Sequence, residues 1–170
     1  MATDTVLNHP DTAAAQITYR AVTCGNATGR FFVGKDGLAK ARVSGTLDAS
    51  SVQLFGLLLR CAFNMGAAGM VCSMDRVAVD LPLEGLREAA FAPGVMSMLP
   101  TMILVSEDQH PTFLEALKHG RSDPGFTFCW RRVGFADNEE PALRWVREEI
   151  EIAADEAREA GMPSNVQRLH

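Results

Sequence analysis

The stretch LAKARVSGTLDASSVQLFGLLLRCAFNMG, residues 38 to 66, changes its hydrophobic period part-way along. Up to Leu47, the apolar residues Leu38, Ala39, Ala41 and Val43 stand among polar ones, as in a strand with one partly exposed face. Beyond the turn, Val52, Phe55, Leu59, Ala62 and Phe63 share one helical face, which Leu54, Leu57 and Leu58 widen. Ser50 and Gln53 have the spacing of a capping box, and Gly66 supplies a stop. A strand that passes through a short turn into a deeply packed helix is a building block of α/β folds.

The same grammar recurs along the chain. ITYRAVTC (17–24) alternates like a strand, and turn residues lie on both sides of Phe31 to Val33. GMVCSM and RVAVDL are two short apolar runs around Asp75, and LEGLREAAF is a helical turn or two ending before Pro93. TMILVS reads as a buried strand, EDQHPTFLEALKHG as a helix with Pro111 in its first turn, and GFTFCWRRVGF as the last strand. In FADNEEPALRWVREEIE, Asp137 or Asn138 can cap a helix whose first turn holds Glu139, Glu140 and Pro141. Ala142, Leu143, Val146, Ile150, Ala153 and Ala157 form its apolar arc, with charged residues opposite. The domain is therefore expected over residues 16 to 160, between a loose tail at 1–15 and a C-terminal tail at 161–170.

Composition narrows the function classes. Of 170 residues, 47% are hydrophobic and 22% charged, the balance of one globular domain with a sizeable core. No apolar run approaches the ~18 residues needed to cross a bilayer, and the first residues lack a signal-peptide pattern, so a cytoplasmic protein without membrane contact is expected. Cys24, Cys61, Cys72 and Cys129 have no metal-ligand spacing and read as reduced core residues. The net charge is −5, and residues 137 to 160 alone hold nine acidic and three basic side chains. Without a basic stripe, nucleic acid is not an expected partner. The small group Lys118, His119, Arg121, Arg131 and Arg132 is the one candidate exception.

Catalytic signatures are missing: no G-x-G-x-x-G, P-loop, H-E-x-x-H or G-x-S-x-G is present, and no metal or cofactor is implied. The candidate contact residues are Asp75 and Asp80, which flank a short segment near strand ends, Ser106 after a core strand, and Asp108 with His110. His110 beside Asp108 has the makings of a general base or of a helix start, and the latter is preferred because no nucleophile is placed nearby. Trp145 lies with Ile152 on a flank of the last helix, where it either finishes the core edge or meets a second subunit.

Four segments together resemble the STAS-like bacterial domains, which are related in fold to anti-sigma factor antagonists. ARVSGTLDASSVQLFGLLL is similar to their opening strand, turn and helix, and MVCSMDRVAVDLPLEGLREAA to their central strand with its Asp-Leu connection. TMILVS is similar to a later core strand, and RVGFADNEEPALRWV to the closing strand, acidic turn and Ala-Leu-x-Trp helix. The resemblance implies a single α/β domain, a mixed and mostly parallel sheet of four or five strands with helices packed against it. It also implies a noncatalytic regulatory module that acts on a protein partner, as a homodimer. Regulatory members carry a phosphorylated serine in an Asp-Ser context after the central strand; here residues 80 to 85 read DLPLEG, so no functional serine is carried over. The alternative expectation is a small-molecule binder or enzyme with a pocket between the sheet and the helices of residues 81 to 117.

Overall fold

The computed structural model describes residues 2–5, 19–51, 53–80, 99–105, 111, 115 and 133–159. The elements in chain order are β1 Ala2–Thr5, β2 Tyr19–Cys24, β3 Ala27–Val33, β4 Leu38–Leu47, α1 Leu54–Asn64, β5 Gly69–Val79, β6 Thr101–Leu104, β7 Val133–Ala136 and α2 Glu139–Glu159. All seven strands form one sheet in sequential order. Pairs β1 to β4 are antiparallel and pairs β4 to β7 parallel, so five of the seven strands run one way. The fold is thus α/β with a mixed, mostly parallel sheet, as expected, but with more strands than four or five.

The additional strands come from segments with weak sequence signals. Residues 2–5, within the expected loose tail, pair with the open edge of β2 from Ala2 opposite Val22 to Thr5 opposite Tyr19. β3 extends back to Ala27 through residues that look like turn formers, because β2 and β4 both offer it a ladder. The two runs around Asp75 are one strand. Arg42 pairs with Ser73 but Ser44 pairs with Arg76, so β5 carries one extra residue as a bulge at this point.

Each face of the sheet has its own core. On the first, α1 buries Leu54, Phe55, Leu58, Leu59 and Ala62 against Phe31, Ala39, Val43, Met70, Cys72 and Ile103. On the second, Ala142 and Val146 of α2 lie over Leu38, Val71 and Met102. Two ion pairs tie α2 to the hairpin beside it, Lys40 with Glu139 at 2.7 Å and Arg147 with Asp36 at 3.3 Å. Both are exposed, where a pair contributes up to about 1 kcal/mol.

α1 departs from its expected start. Its N-cap is Gln53, without a side-chain cap, and Ser50 makes no capping box. The Ser50 hydroxyl instead donates to the Asp48 carboxylate at 2.6 Å, a charge-assisted bond stronger than a neutral cap. Phe63, placed on the core face by periodicity, is 39% exposed, since the buried stripe runs along Leu54, Leu58 and Leu59 instead.

Asp48 has a pH signature. Its carboxylate accepts the Ser50 hydroxyl, Asn26 Nδ2 at 2.6 Å and the Ser50 amide at 2.8 Å. These bonds, the Ser50 hydroxyl first, hold its pKa down to about 2 from an ordinary 3.8. Because the folded value is the lower one, the network's contribution to stability is complete above pH 3.8 and is lost as the pH falls toward 2. Carbon NMR of the side-chain carboxyls should show Asp48 titrating near 2, with Ser50→Ala moving it upward. An unshifted wild-type Asp48 would show that the loop does not hold these bonds in solution.

Candidate functional site

The second face of the sheet is covered unevenly. Among the described residues α2 is the element packed on it, mainly over β5, β6 and β7. Over β2 to β5 the same face forms a trough of about 640 Å³ beside α2.

Strand alternation decides what lines it. Ala39, Ala41 and Val43 of β4 turn toward α1, which leaves Lys40, Arg42 and Ser44 for the opposite face. The hairpin between β3 and β4 sets the register: Phe32 lies opposite Lys40, Arg30 opposite Arg42, and Thr28 opposite Ser44. On β5 the alternation that places Val71 and Ser73 on this face would next present residue 75. The bulge shifts the pattern by one, and Arg76 lines the trough instead. Tyr19 joins from β2, and Glu139 bounds the trough at the start of α2.

The result is a concentration of charge. Among the described residues, the side chains of Arg30, Lys40, Arg42 and Arg76 line the trough together with one acidic residue, Glu139. Glu139 is engaged by Lys40 at the rim. Beside the cations, the rings of Tyr19 and Phe32 meet edge to face with centroids 5.2 Å apart, giving the trough an apolar end. Such a surface can hold carboxylates or phosphates through guanidinium forks while an apolar group packs on the rings. Among the described residues no group of three or more His, Cys, Asp or Glu could hold a metal ion. The buried Cys72 is no candidate either, because burial pushes its thiol up to about 12.

The residues expected to form a site are not gathered here. The backbone of Asp75 lies in β5 at the bulge. Asp80 is exposed just beyond β5, where its amide donates to the Leu47 carbonyl at 2.8 Å. Ser106, Asp108 and His110 lie outside the described residues, as do the basic group from Lys118 to Arg132 and the expected pocket walls of 81–98. Trp145 is half-buried at the edge of the α2 core, with its ring close to Gly134. Ile152 on the same helix is 47% exposed.

Sequence reading missed the trough, finding no basic stripe, because its cations are distributed over three strands. A signal did exist. Arg30 and Arg42 flank the turn residues Gly34 to Gly37 at nearly equal separations, four and five residues, so pairing the two strands as a hairpin would have brought them near one another. No family model matches the chain, and no curated protein matches it in sequence. Among the described residues, no helix is long and apolar enough to cross a membrane.

Proposed function

We propose that the protein is a noncatalytic protein-interaction module, a regulatory domain of the STAS-like kind that its sequence resembles, and that its open basic sheet face receives an acidic protein surface. The observation that carries this reading is the placement of Arg30 directly opposite Arg42, with Arg76 lining the same trough. Guanidinium groups gathered on neighbouring strands are suited to carboxylates, which their planar forks bind two oxygens at a time. A net charge of −5 repels a long polyanion at range, so the face suits a partner whose negative charge is local.

The test is binding of a short oligoglutamate peptide at low ionic strength, followed by NMR. Shifts should centre on Arg30, Arg42 and Arg76, and the double reversal Arg30→Glu/Arg76→Glu should weaken binding by more than about tenfold. Equal binding by the reversed variant, or a preference for a single-stranded oligonucleotide over the peptide, would overturn the reading.

A second reading has one observation in its favour. The trough's volume, about 640 Å³, falls within the range of small-molecule sites, so a small anionic ligand is the alternative occupant. A defined extra mass retained by the native protein would favour it.

A further inference from the structure

The second face of the sheet is a ridge beside a trough. The ridge is α2, packed mainly on β5 to β7, and the trough lies beside it over β2 to β5. If two such faces meet about a two-fold axis parallel to the strands, each ridge falls over the other molecule's trough. An axis across the strands would set ridge against ridge. The face is therefore complementary in shape to itself, which is the condition for an isologous dimer.

Charge divides along the same line. α2 carries eight acidic and three basic residues, whereas among the described residues the trough is lined by four cationic side chains and one acidic one. On the side of α2 away from Ala142 and Val146 stand Glu148 and Glu151, both exposed, with Ile152 beside them. Of the helix's three arginines, Arg147 is engaged by Asp36 and Arg158 by Asp155, and Arg144 stands exposed on the same outward side as Glu148 and Glu151, so the ridge presents an excess of carboxylates. The trough offers the matching set: arginines along its floor and the Tyr19 and Phe32 rings at one end. An apolar contact ringed by paired charges is the usual anatomy of a protein interface.

We infer that the acidic partner is a second copy of this chain, with the α2 ridge of each protomer seated in the basic trough of the other. This rests on the reading of the trough as a site for an acidic protein surface, and it names the occupant. Each trough is completed by carboxylates from the other copy, Glu148 and Glu151 foremost.

The experiment is a charge swap followed by sedimentation. Wild type should sediment as a dimer. Arg30→Glu/Arg76→Glu alone sets an acidic trough against acidic ridges, and Glu148→Lys/Glu151→Lys alone sets a basic trough against basic ridges. Each variant should raise the dissociation constant by about a hundredfold or more. Mixed one to one, they restore both contacts, and a heterodimer should return. Misfolding of either variant could not produce that recovery. A dimer indifferent to both reversals, or variants that fail to recover on mixing, would overturn the inference. A monomeric wild type that still binds oligoglutamate through Arg30 and Arg76 would overturn the second copy alone and leave the acidic-partner reading standing. A monomer that binds no acidic peptide would overturn both.

Discussion

Replacing Gly45 by alanine is expected to lower the unfolding free energy by about 3 kcal/mol or more, combining a strained backbone with an overpacked strand. Gly45 has φ of +96°, a conformation that L side chains rarely adopt. It also lies in β4, at the middle of the sheet, between Ala27 on one side and Val77 on the other. A Cβ at this position would overlap the Asn26 carbonyl oxygen. That carbonyl accepts the Thr46 amide at 3.0 Å, so it cannot move aside without loosening the same corner. Since a domain of this kind is stable by only about 5–15 kcal/mol, the substitution should lower the urea midpoint visibly and the melting temperature by several degrees. A change below about 1 kcal/mol would show that β4 can relax around the new methyl group.

Leu58→Ala should cost a comparable amount, about 2–5 kcal/mol, by leaving a cavity between α1 and the sheet. Leu58 is fully buried, and its side chain rests on Gly29 of β3 so closely that a Cβ on that glycine would stand 2.5 Å from Leu58 Cδ1. The absence of a side chain at residue 29 is thus what lets α1 settle onto β3. The two positions should be coupled. Gly29→Ala is expected to destabilise wild type but to recover part of the loss in the Leu58→Ala background, where its methyl group enters the vacated space. Additive effects in equilibrium unfolding of the four proteins would mean that helix and strand do not meet at this point.

The reasons why some elements were readable and others were not lie in particular residues. β4 was legible over its full length, Leu38 to Leu47, because Ala39, Ala41 and Val43 alternate under one buried face, with Leu38 turned to the other core. α2 was legible because its apolar arc is sharp and its first turn is acidic, and the helix indeed opens at Glu139 and buries Ala142 and Val146. β1 was not, because Ala-Thr-Asp-Thr has no pattern of its own and takes its ladder from β2. The continuity of β5 was hidden by the bulge, which moves one residue and makes a single strand look like two runs on either side of Asp75. Ser50 misled in another way. Its spacing to Gln53 suits a helix cap, but the nearby Asp48 carboxylate is a stronger acceptor and takes the hydroxyl.

The site follows the same division. Asp75 and Asp80 stood out in sequence because they are charges at the ends of apolar runs, whereas Arg30 and Arg42 appeared as ordinary polar residues of alternating strands. By itself the sequence determined the α/β class, the order of its main elements and which face of each long element is apolar, since periodicity is a local property of neighbouring residues. Only the tertiary structure decided that Arg30, Arg42 and Arg76 share one surface, because that depends on the register of three strands and on one extra residue in β5. It also decided that this surface is the half of the sheet α2 leaves open, because a helix 21 residues long but one helix wide covers only the strands beneath it.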